Sequence, residues 1–125
     1  MSIKRVKDFL RIMEERDLGH AQSFLAPGFK MTFPGGVTMT TLEELVEWSK
    51  ARYSRISKTF EGFDEFQEGD DTVVYSTGMP NGEALDGSPI SEVRYIDRFL
   101  FRGGLMIDQQ VWNDLAEVLK PIHAE

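Results

Sequence analysis

The chain has no cysteine and only two histidines. The first absence excludes disulfides, a thiolate zinc site and a cysteine nucleophile. The histidines, His20 and His123, lie far apart, with no Glu at the three- or four-residue spacing of a helical metal site. Each reads as a solvated side chain, and no metal is expected. No apolar run approaches the ~20 residues of a membrane helix. Met1 to Arg16 is amphipathic and mixed in charge, unlike a secretory leader. A cytoplasmic protein without a membrane partner is the expectation. Positive charge is scarce: 14 Lys and Arg stand against 21 Asp and Glu, for a net charge of −7. The basic residues are scattered at Lys4-Arg5, Arg52 to Arg55, Arg94 and Arg98. Nucleic-acid affinity comes largely from clustered cations on phosphates, so no nucleic-acid partner is expected. Gly35-Gly36 and Gly103-Gly104 lack the strand, loop and helix context of a phosphate cradle. No serine sits in a nucleophile elbow. Asp70-Asp71 and Asp86-Gly87 read as turns, not calcium loops. No cofactor is implied.

What remains is a globular composition of 125 residues, 41% hydrophobic and 28% charged. That length suits a single domain spanning 1–125, without repeat or linker. Ile3, Val6, Phe9, Leu10 and Met13 make a helical stripe that continues to Arg16. Asp17-Leu18-Gly19 breaks it, and Asp17 can cap a short second helix through Phe24-Leu25. Ala26-Pro27-Gly28 reads as the stop of that helix. Phe29, Met31 and Phe33 alternate as a short strand. A capping box, Thr40 with Glu43 or Thr41 with Glu44, starts a third helix. Its face is predicted to carry Leu42, Leu45, Val46, Ser49, Tyr53 and Ile56, with Trp48 and Arg52 at the edge. The rest reads as β: a stretch with Phe60, Phe63 and Phe66, then Thr72 to Gly82, Glu92 to Phe101 and Leu105 to Trp112. Asp114 can cap a closing turn over Leu115 to Leu119, ended by Pro121. Helices first and hairpin-linked strands after predict an α+β fold, with the helices on one face of an antiparallel sheet.

Two turns orient the side chains. A two-residue Asp86-Gly87 turn sets Ser76 opposite Asp97 and Val74 opposite Phe99. A two-residue Gly103-Gly104 turn sets Phe99 opposite Asp108, Asp97 opposite Gln110 and Tyr95 opposite Trp112. One face then carries Val74, Ser76, Tyr95, Asp97, Phe99, Phe101, Asp108, Gln110 and Trp112. The other carries Tyr75, Thr77, Arg94, Ile96, Arg98, Leu100 and Gln109. A bulge in either strand would turn part of this list over. The first face, aromatic with two carboxylates and an amide, has the make-up of a small-molecule pocket. The second, mixing Arg with Tyr and aliphatics, suits solvent or a homodimer interface.

Val93-Arg94-Tyr95-Ile96-Asp97-Arg98-Phe99, a Gly turn, then Ile107 through Val111-Trp112-Asn113-Asp114-Leu115 resembles the end of a SnoaL-like domain of the nuclear-transport-factor-2-like (NTF2-like) superfamily. The order of elements agrees over nearly the whole chain. The resemblance implies a cone-shaped barrel, a highly curved antiparallel sheet wrapped around N-terminal helices, often dimeric. Its members range from polyketide cyclases and ketosteroid isomerase to epoxide hydrolases, dehydratases and non-catalytic modules, so fold alone selects no function. Asp97 matches an aspartate that donates to the oxyanion in ketosteroid isomerase. The positions matching that enzyme's base and tyrosine fall near Phe33 and Phe9. Both are apolar, which argues against isomerisation by that machinery.

The candidate catalytic pair is therefore Asp97 and Asp108, two carboxyls whose pKa values an apolar cavity would drive apart. The plain alternative is that Asp97 satisfies Ser76, Gln110 or Tyr53 and that Asp108 sits near solvent. Tyr53 and Gln110 would orient a ligand. Trp112, Tyr95, Phe99, Trp48, Phe33, Phe9 and Met13 would wall it, or serve as core. Two functions follow: a cofactor-independent isomerase, cyclase, lyase or hydrolase acting on a small, partly apolar, cyclic or polyketide-like molecule, or a non-catalytic ligand-binding or dimerising module.

Overall fold

The computed structural model describes residues 2–119; His123 and Pro121 lie outside them. The N-terminal stripe forms helix α1, Ser2–Glu14, and buries Val6, Phe9, Leu10 and Met13. Helix α2, Leu18–Gln22, is capped by Asp17, whose carboxylate accepts from the His20 backbone N–H. It ends at Gln22, before the predicted stop. Ala26-Pro27-Gly28 lies instead inside strand β1, Leu25–Phe33, whose pairing slips between Leu25 and Lys30. Pro27 and Gly28, the latter at φ 80°, fit such an irregularity, because neither favours a regular ladder.

Strand β2, Val37–Met39, folds back on β1. Helix α3, Leu42–Lys50, opens with the Thr41–Glu44 capping box in both directions. It stops well before Ile56. The Ser54 N–H bonds Glu83 O, and Ile56 pairs with Gly82 in the sheet. Tyr53 thus sits in the connection, not on the helix.

The remaining elements are β3 (Arg55–Glu68), β4 (Asp71–Glu83), β5 (Pro89–Ile90), β6 (Tyr95–Arg102), β7 (Leu105–Asn113) and α4 (Leu115–Leu119). The sheet runs β2-β1-β7-β6-β4-β3, with β5 also on β4. Its pairs are antiparallel except β1 with β7. The sheet is open and strongly curved around the helices, as the resemblance implies. Two features bend it. β3 carries a bulge between Phe60 and Gly62, and bulges raise local twist. Opposite it, a Cβ on Gly78 would stand 2.0 Å from Thr59 O, so only glycine lets the two backbones close so tightly. The bulge also explains the uneven Phe spacing: Phe60 and Phe63 both pack on the core, while Phe66 is exposed.

The β4–β6 register is the expected one, with Val74 opposite Phe99 and Ser76 opposite Asp97. It is reached less simply than by a two-residue turn. Glu83 pairs Pro89 in β5, and the register then shifts by one through 91–94, where Glu92 takes φ 59°. The β6–β7 register departs from expectation. Phe101 pairs Met106, but Leu100 pairs Asp108, leaving Ile107 as an extra residue. Beyond this bulge every partner moves by one: Phe99 faces Gln109, Asp97 faces Val111 and Ile96 faces Trp112. Asp108, Gln110 and Trp112 therefore lie on the outer face, and Gln109, expected outside, lies on the inner one.

The core lies between the inner face and α1. Phe9 meets Phe99 edge to face at 6.4 Å and Phe24 at 6.0 Å. Burying each such ring contributes roughly 1.5–3 kcal/mol. Among the described residues, no helix is long and apolar enough to cross a membrane.

Candidate ligand cavity

Between α1, α3 and the inner face lies a cavity of about 80 Å³. Phe9, Met13, Phe33, Leu45, Tyr53 and Ile56 give it apolar walls. Glu14, Arg16, Lys58 and Gln109 are its charged and amide groups.

Lys58 reaches the inner face because it pairs with Pro80 on β4, two residues on from Gly78 and in phase with buried Ser76 and Val74. Its position is fixed through the backbone. As a residue of the edge strand, its N–H and C=O point away from β4. The N–H donates to Glu14 Oε2 at 2.8 Å, and Arg11 donates to the C=O at 2.9 Å. Arg11 also bonds Glu14, so α1 closes both main-chain groups into one cluster.

The Lys58 ammonium stands 3.4 Å from Asp97 Oδ2 and 5.2 Å from the centre of the Tyr95 ring. Asp97 is wholly buried, and neither of its oxygens has a hydrogen bond. Burial pushes the Asp97 carboxyl above its usual range, against the opposing pull of the Lys58 charge. Burial also disfavours the Lys58 ammonium, but attraction from Asp97, then from Tyr95 and Tyr53, outweighs it, and the amine sits above its usual value. Lys58 is thus a held cation rather than a free amine. Burial likewise raises the Tyr95 phenol, which bonds Ser76 Oγ at 2.9 Å. Gln109 is 4% exposed, and its Oε1 has no partner. A buried amide oxygen left unpaired costs about 1–3 kcal/mol, which is a reason for a ligand donor to sit beside it.

Of the residues expected from sequence, Phe9, Met13, Phe33 and Tyr53 line this cavity. Asp97 stands behind Lys58 rather than on the wall. Phe99 is core, and Trp48 packs on Phe33 at 5.0 Å with Arg52 over its ring. Tyr95 stays on the inner face, beside Lys58 and bonded to Ser76, whereas Ile96 and Trp112 help line an open groove of about 470 Å³ on the outer side. Asp108 accepts from the Gln110 amide on that outer face. Asp97 and Asp108 are therefore not neighbours in one hollow. Sequence reading missed Lys58 and Gln109. The odd spacing of Phe60 and Phe63 was the available sign of the β3 bulge. Among the described residues, no three His, Cys, Asp or Glu side chains gather as metal ligands.

No family model matches the chain, and no curated protein does. Solved structures do. An NTF2-like protein of unknown function from Burkholderia pseudomallei superposes with a TM-score of 0.74 at 18% identity, covering 98% of this chain and 97% of that one. TerC, co-crystallised with polyporic acid, gives 0.74 at 15% identity over 93% of each chain. A SnoaL-like protein from Jannaschia sp. CCS1 gives 0.59 at 20% identity, over 83% of this chain and 76% of that one. Likeness at this level fixes the architecture, and the chain has the NTF2-like fold.

Proposed function

We propose that this NTF2-like cone binds a small, partly apolar molecule in its interior cavity, with Lys58 donating to a ligand oxygen and Gln109 making the second polar contact. The carrying observation is Lys58 on a mostly apolar hollow that is also lined by Gln109, whose buried amide oxygen is unpaired. Apolar walls with a few convergent polar groups are the usual make-up of a ligand site. The volume lies below the ~300 Å³ of a drug-sized pocket, so the ligand, or the part of it that enters, has few heavy atoms. The SnoaL-like neighbour and the polyporic-acid complex give the reading fold-level support only.

Acid–base chemistry extends this reading. A fixed ammonium facing a carbonyl or epoxide oxygen stabilises charge that develops there. That suits cofactor-independent isomerisation, cyclisation, dehydration or hydrolysis. Asp97 then acts as a positioning residue through Lys58. Glu14, the other cavity carboxylate, is engaged by Arg11 and the Lys58 N–H, which favours binding over turnover as the primary role. A thermal-shift screen of small cyclic ketones, lactones and epoxides, with mass spectrometry of each hit, tests both. Hits should raise Tm in the native protein and not in Lys58→Met. An altered mass or chromatographic retention time means catalysis, and a ligand recovered unaltered in both means binding alone. A screen whose hits stabilise both proteins equally overturns the site.

The outer sheet face supports a separate reading, a homodimer. Ile96 and Trp112, cross-strand partners, are 43% and 48% exposed. The Arg94–Asp114 ion pair rims their groove. An apolar centre with a polar rim has the anatomy of an interface.

A further inference from the structure

Three observations define the charge of the cavity. Lys58 and Arg16 both line it. Glu14, its one wall carboxylate among the described residues, is bonded by Arg11 at 3.0 and 3.1 Å and by the Lys58 N–H. Asp97, the counter-ion of Lys58, is itself poorly held, with one ion pair and no hydrogen bond to either oxygen. A buried carboxylate in that condition is costly, and its neutral form is far less so. Resting on the ligand reading above, we infer that the cavity takes a small anion, a carboxylate or enolate oxygen, which replaces Asp97 as the partner of Lys58 while Asp97 takes up a proton.

The exchange balances. The free protein holds an ammonium and a carboxylate. The complex holds the ammonium, the bound anion and a neutral Asp97 acid, so one proton enters from solvent for each ligand already ionised in solution. The groups facing the pair are Tyr95 from β6, Tyr53 from the α3–β3 connection, and Arg11 and Glu14 from α1. Burial holds the Tyr95 phenol above its usual range and so uncharged, and Arg11 and Glu14 offset each other. The upward displacement of the Asp97 carboxyl by burial agrees with this assignment. The unpaired Gln109 Oε1 would accept from a hydroxyl or other N–H or O–H group carried by the same ligand.

Butyrate and its neutral isostere butyramide are suitable probes, followed by NMR titration of the native protein between pH 7 and 9. Butyrate keeps its charge across that range. Its Kd should therefore rise about tenfold per pH unit, as one-proton linkage requires, while any butyramide Kd stays flat. Asp97→Asn should flatten the butyrate profile. Lys58→Met should weaken both ligands but butyrate far more, because butyrate loses its charge partner and butyramide a single hydrogen bond, which keeps the test decisive if the Asn variant misfolds. Butyramide binding as tightly as butyrate, or a flat butyrate profile, overturns the anion assignment and leaves the cavity reading standing. Neither probe shifting signals from Phe9 or Gln109 overturns both.

Discussion

Lys58 and Asp97 are each expensive to bury and tolerable only together. Removing one partner of a buried pair leaves an uncompensated charge and typically costs about 3–5 kcal/mol. Lys58→Met should therefore lower unfolding free energy by about 3 kcal/mol at pH 8, measured in urea. The sign with pH follows from the direction of the Asp97 shift. A carboxyl raised in the folded state favours folding at pH below its unfolded value of about 4, and that advantage is lost as pH rises through the folded value. With Lys58 gone, Asp97 moves further up, so the variant should lose stability as pH climbs from 5 to 8. The double change Lys58→Met with Asp97→Leu should recover most of the loss, because a hydrophobic replacement of a buried pair is often neutral or better. A pH-independent deficit in Lys58→Met would count against the pairing. Of these residues, the sequence made Asp97 legible, since the Asp86-Gly87 hairpin gives the right β4–β6 register. Lys58 was not legible, because the uneven spacing of Phe60 and Phe63 signals a slip in β3 without telling which residues before it change face.

At the scale of elements, the same contrast holds. Helix α1 and the start of α3 were readable because local rules decide them: a stripe at helical spacing, and a capping box whose side chains answer their own backbone. Thr41→Ala should cost about 1 kcal/mol by chemical denaturation, with the cavity unaltered. Strand β7 was misread past Ile107 because a two-residue turn fixes only the pairs next to it. The slip is shared with β1, where Ala26 to Phe29 bow out beside the same point, and such a long-range fit leaves no local trace. Curvature has a more local signature. Gly78 and Gly82 sit in β4 with no room for a Cβ, the nearest backbone oxygens being 2.0 and 2.1 Å away. Gly78→Ala must push β3 off β4, because a main-chain oxygen cannot turn aside as a side chain can. Overpacking of this kind costs roughly 1–3 kcal/mol. The loss should appear in urea melts together with faster amide exchange along β3. Unchanged exchange would mean that the curl is set elsewhere.

For the whole molecule, the outer face decides whether the chain acts alone. Ile96 and Trp112 face each other across β6 and β7 and remain about half exposed, a cost to a monomer that a second copy would relieve. A specific dimer must bury roughly 1,600 Å² in total, so the contact must extend from this pair over neighbouring strands of the sheet. Opposing association is the charge of −7 carried by each chain, which repels a second copy at long range and is screened beyond about 10 Å at 0.1 M salt. The apolar centre is insensitive to that screening. Raising salt from 0.02 to about 0.3 M should therefore tighten the dimer, the reverse of an interface held by ion pairs. Trp112→Glu should weaken it by about 30-fold or more, as loss of a central aromatic worth ~2 kcal/mol implies. Light scattering across a concentration series measures both. A native chain that stays monomeric at hundreds of micromolar in high salt would leave Ile96 and Trp112 as ordinary surface residues.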